Sequence, residues 1–163
     1  MTYLTTALTD QKTNLSFQKT TVTALQNVTT TYTLVEGGQM TYTPSSSSAE
    51  VMIEFSTAFC RKDADNSTLF RVQIGDTVAT LGDVVTDNTD YFNGFGGTTA
   101  SFIVNTSDLI TLKYKLAGWS GAKIIQIQCK CIAGNLESAV NATRDRSTST
   151  AKLYNPFMIM YEV

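Results

Sequence analysis

The chain has 163 residues, 42% of them hydrophobic and 16% charged, with 12 Lys or Arg against 14 Asp or Glu. That length favours one domain, which buries about 70% of its unfolded surface and folds without disulfides or metal. The net charge of −2 argues against a broad phosphate-binding face, so nucleic acid is not an expected partner. Histidine is absent, which excludes Ser/His/Asp and Cys/His nucleophiles, an imidazole base and every His-containing metal site; neither an enzyme nor a cofactor is expected.

Threonine occurs 27 times and, with Val, Ile, Tyr and Phe, weights the chain towards strands, where branched and aromatic side chains pack well on a pleated surface. No apolar run is long enough to span a membrane, and MTYLTTALTDQK lacks the basic start and apolar stretch of a secretion signal. The chain is therefore expected to stay in the compartment where it is made, without a membrane partner. Five Asn-x-Ser/Thr sequons, beginning at Asn14, Asn27, Asn66, Asn105 and Asn141, are what a Thr- and Ser-rich chain generates by chance.

In chain order, residues 1–31 keep neither a period of 3.6 nor one of 2, and read as an extended polar arm that lies on its own domain or on a neighbour. The jelly-roll domain is expected over 32–163. A short strand over Tyr32–Val35 leads to a Glu-Gly-Gly turn at 36–38, and Pro44–Ser48 makes the next turn. Val51, Ile53, Phe55, Thr57 and Phe59 then share one face of a strand. The same alternation places Phe70, Val72 and Ile74 opposite Leu69, Arg71 and Gln73, with shorter strands near Val78 and Phe102. It recurs in Ile110, Leu112, Tyr114 and Leu116, and in Ile125, Ile127, Cys129 and Cys131 with Gln126, Gln128 and Lys130 outward. That register makes Cys129 and Cys131 core thiols. About eight strands with polar turns and no repeat predict an all-β, two-sheet antiparallel jelly-roll sandwich preceded by the arm.

Several segments stand apart as candidate surfaces. The closing strand is apolar on both sides: Phe157, Ile159, Tyr161 and Val163 form one row, Met158 and Met160 the other. A strand apolar on both faces is buried on both. The expected second cover is another subunit, with Met52, Phe157, Met158, Met160 and Tyr161 at the interface, although a loop or the arm would also serve. Tyr91, Phe92 and Phe95 in a Gly-rich stretch, and Trp119 in AGWSG, are either partner contacts or rings folded inward. The long segment 134–152 reads as a loop, in which Arg144 and Arg146 are candidate contacts for an acidic neighbour. The turns with Asp63 and Asp65, and with Asp83, Asp87 and Asp90, lack the spacing of an EF-hand calcium loop.

The stretch TYTLVEGGQMTYTPSSSSAEVMIEFSTAF, the strand LFRVQIG and the closing YNPFMIMYEV together resemble bacteriophage virion proteins that end in, or consist of, a jelly roll of the tumour-necrosis-factor-like kind. The resemblance implies a homotrimer with C-terminal strands near the threefold axis, and it carries no catalytic motif. A tail-fibre tip of this kind follows a shaft or adaptor, whereas here a short polar arm precedes the domain. The favoured role is therefore a decoration, or cement, protein on the major capsid protein of a phage head, made in the host cytoplasm and carried in the virion. The alternatives are a tail-fibre tip that recognises a host surface glycan and a non-viral carbohydrate-binding module.

Overall fold

A computed structural model of the chain describes residues 12–61, 68–78, 101–104, 108–131, 138–144 and 151–163, all in strands and connections. Two antiparallel sheets pack face to face as a jelly-roll sandwich. Sheet A is built on the twelve-residue strand β4 (Glu50–Arg61), which pairs along one edge with β8 (Asp108–Ala117). Its other edge is shared end to end by β13 (Phe157–Glu162) and the short β10 (Ser138–Val140). Beyond these lie β1 (Thr13–Lys19) against β13 and β2 (Gln26–Asn27) against β10. Sheet B runs from β3 (Thr33–Tyr42) through β9 (Lys123–Cys131) to β5 (Thr68–Ile74), whose far edge pairs with β6 (Thr77–Val78) and β7 (Ser101–Val104). A small hairpin joins β11 (Ala142–Arg144) to β12 (Ala151–Leu153).

The core lies between the inner faces and follows the alternation in the sequence. Val51, Ile53, Phe55 and Phe59 of β4, with Ile110, Leu112, Tyr114 and Leu116 of β8, meet Val35, Met40 and Tyr42 of β3, Phe70 and Val72 of β5, and Ile125, Ile127, Cys129 and Cys131 of β9. Each large apolar side chain removed from water contributes about 1.5–3 kcal/mol. The three cysteines are buried, and burial, with Cys131 alongside, pushes the Cys129 thiol up to about 12, so it is not a nucleophile at neutral pH.

Two features differ from the reading of the sequence, and a third selects one of the alternatives it left open. The expected turn at 36–38 is a bulge inside β3: the register steps from Leu34 opposite Gln128 to Gln39 opposite Gln126. Gly37 holds a φ of +82°, and a Cβ there would stand 2.5 Å from the Pro156 ring, so the two glycines let the strand kink against its neighbours instead of reversing it. The expected loop over 134–152 contains β10, β11 and β12. The described part of the arm is bonded into sheet A through β1 and β2; a left-handed Asn14, φ 49°, accommodates the bulge between Thr13 and Ser16 in β1.

Candidate interaction surface

The two outer faces of the sandwich differ in chemistry. On sheet B the outward residues include Gln39, Arg71, Gln73, Gln126, Gln128 and Lys130, with the exposed Leu34 and Ile124 separated by Gln126. On sheet A the register sets Phe157 opposite Ser56, Ile159 opposite Glu54 and Tyr161 opposite Met52, all on the outer face, with Phe17 of β1 opposite Ile159. The Phe17 and Phe157 rings lie 6.2 Å apart, and Phe17 is 62% exposed. Ring against ring is a favourable arrangement, but here water still wets one side of it. Leu15 on β1 and Leu109 on β8 are also more than half exposed.

A charged group sits inside this apolar surface. Glu54 accepts a hydrogen bond from the Tyr161 hydroxyl at 2.6 Å and lies 3.3 Å from the Lys12 ammonium, which also stands 4.2 Å from the centre of the Tyr161 ring. Burial pushes the Glu54 carboxyl up, but the Tyr161 hydroxyl and the Lys12 and Lys113 charges outweigh it and hold the group below its ordinary value. Glu54 is therefore an anion at neutral pH, with Tyr161 and Met52 packed close around it and largely buried.

The interface expected from the sequence is thus divided. Phe157, Tyr161 and Met52 are on the outer face, with Ile159 between them, whereas Met158 and Met160 point inward, fully buried in the core opposite Phe55 and Ile53. Assigning those two methionines to a subunit contact is corrected: both rows of the strand are apolar because one row faces the other sheet. Trp119 is likewise corrected, since it packs edge-on against Tyr42 at 6.1 Å within the core and offers no contact to a partner. Tyr91, Phe92, Phe95 and Arg146, and the acidic groups at Asp63, Asp65, Asp83, Asp87 and Asp90, lie outside the described residues. Arg144 ends β11 beside Ala151 of β12.

Two polar junctions escaped the sequence reading. Asn141, fully buried with a φ of 64°, accepts from the Thr57 hydroxyl at 2.7 Å and donates to the Glu36 carbonyl at 3.1 Å, tying sheet A to β3. Its backbone N–H reaches the Ala58 carbonyl and its own carbonyl accepts from Tyr154. Glu162 accepts from the Ser45 backbone and hydroxyl and from the Asn14 amide, at 2.5, 2.6 and 2.9 Å. These bonds, those from Ser45 foremost, hold its carboxyl below the ordinary range.

Among the described residues no helix is long and apolar enough to cross a membrane, and no cluster of three or more acidic or thiol groups is placed to hold a metal ion. No protein-family model matches the chain, and no curated protein matches it.

Proposed function

We propose that the protein is a homotrimeric virion component, a decoration protein that binds the major capsid protein of a phage head and stabilises the shell, with its three copies joined through the outer face of sheet A. The observation that carries this reading is the asymmetry of the sandwich. Phe17, Phe157 and Ile159 form a contiguous apolar row on the outer face of sheet A, while on sheet B the exposed Leu34 and Ile124 stand apart among glutamines and cations. Around a threefold axis the row of each protomer is removed from water by the rows of the other two copies. The resemblance of residues 31–59, 69–75 and 154–163 to jelly-roll virion proteins supplies the role. Decoration works by mass action: a trimer that binds only the assembled lattice stabilises it, and many equivalent sites multiply a weak contact.

Sedimentation equilibrium of the full chain at micromolar concentration tests the trimer. The expected mass is three times 17.8 kDa, and Ile159→Lys should release protomers that retain a β-type circular dichroism spectrum. A wild-type mass of one protomer overturns the assembly. Purified particles treated with denaturant test the role: a decoration protein is shed in hundreds of copies, whereas a handful per particle replaces this reading with a tail-fibre tip.

A further inference from the structure

The outer face of sheet B carries a pair of cations that have no counter-ion among the described residues. Tyr32 directly precedes Thr33, which lies opposite Cys129, so its ring sits beside Lys130 of β9. Arg71 of β5 lies opposite Gln128, one diagonal from Lys130. The Arg71 guanidinium carbon stands 3.9 Å from the centre of the Tyr32 ring, and the Lys130 ammonium stands 4.8 Å from the same centre. Among the described residues neither cation has a carboxylate within ion-pair distance; the pairs found there are Lys12 with Glu54 and Lys115 with Glu50. One ring attracts both cations, but their mutual repulsion remains, and an anion placed between them would relieve it.

The neighbouring side chains are already oriented. Arg71 Nε donates to Gln128 Oε1 at 2.7 Å, which fixes the guanidinium plane and leaves both terminal nitrogens for a two-pronged contact. Because arginine only donates, Gln128 must turn its oxygen to it. Its amide nitrogen then donates to Gln126 at 3.2 Å, and Gln126 donates to Gln39 at 2.9 Å. The result is a row of three amides over two strands, Gln128 and Gln126 on the same face of β9 and Gln39 beside Gln126 on β3, ending on the exposed Gln39. Amides both donate and accept, which suits hydroxyl groups, and the flat row suits an extended chain of sugar rings.

We propose that the outer face of sheet B binds an acidic glycan, with Arg71 and Lys130 beside Tyr32 taking its carboxylate or sulfate, and Gln128, Gln126 and Gln39 taking its hydroxyls. The site stands on its own geometry and is independent of the role proposed above, which uses the opposite face.

Calorimetric titration of the full chain with a hexauronate tests it, beside an uncharged hexasaccharide, a sulfated oligosaccharide, inorganic sulfate and a single-stranded DNA of equal charge. One of the two acidic sugars should bind, more weakly as salt rises, and should outperform the uncharged sugar, sulfate and DNA. Arg71→Lys keeps the charge but loses the fork, and should weaken binding about tenfold, the loss of one charge-assisted hydrogen bond. Lys130→Gln should do the same, while Lys19→Gln on sheet A leaves affinity unchanged; thermal melts confirm that each variant is folded. Binding by neither acidic sugar overturns the proposal, as does equal affinity for sulfate alone, preference for DNA, or unchanged affinity in both folded variants.

Discussion

Asn141 joins four partners at the point where β10 leaves the ladder, and each bond replaces one that water would otherwise make. Its left-handed backbone suits asparagine, whereas alanine pays a steric cost there. Asn141→Ala leaves the Glu36 carbonyl without its donor and strains the backbone, so the expected loss in urea unfolding is about 2–4 kcal/mol. Asn141→Gly, which tolerates the same φ, should lose less; equal losses would remove the backbone argument. Glu162 gives a pH-dependent contribution. Its folded-state pKa is lowered below 4.5, so its stabilisation is complete above that value and is lost as pH falls through the lower folded value. The unfolding midpoint of the wild type should therefore exceed that of Glu162→Gln near neutrality, and the gap should close on acidification through the lowered folded-state value. A gap that is constant with pH would separate Glu162 from this effect.

At the scale of strands, β13 shows what alternation can and cannot decide. Its two apolar rows were legible in YNPFMIMYEV, but which row faces the core was not, because Met and Ile are equally content in either place. Pairing with β4 settles it: Met158 and Met160 fall opposite Phe55 and Ile53, which face sheet B. Met160→Asp is consequently a folding mutation, expected to abolish the cooperative thermal transition at any protein concentration, since an unpaired carboxylate buried there costs several kcal/mol. Retention of a native melt would return Met160 to the surface. The strands β4, β5, β8 and β9 were legible because each carries enough residues for alternation to show. The strands β10, β11 and β12 were not, since three residues carry no period, and their place depends on Asn141 bridging to elements remote in sequence. The glycines at 37 and 38 misled for a related reason: a positive φ such as that of Gly37 serves a turn and a bulge alike, and only the presence of β9 alongside distinguishes them.

For the molecule as a whole, the proposed assembly rests on the contiguous apolar row on the outer face of sheet A. A trimer joined through sheet A couples folding to association, so the melting temperature should rise with protein concentration, and in Ile159→Lys it should become independent of it. A melting temperature unchanged over roughly a hundredfold dilution of the wild type would show a protomer that folds and stands alone. Of the residues named from the sequence, Phe157, Tyr161 and Met52 lie on the outer face of sheet A; Phe17 and Glu54 beside them were not named, because β1 lacks a period and a lone glutamate in a strand gives no sign of its neighbours. Trp119 gave the opposite error, since glycines beside it suggested a loop tip and the ring packs on Tyr42. The sequence by itself determined the all-β class, the inner rows of the long strands and the burial of Cys129 and Cys131, because period-two alternation is a local property of a strand. Only the tertiary structure decided which row of β13 is inward, where the short strands pair and which outer face is apolar, because those depend on register between segments far apart in the chain.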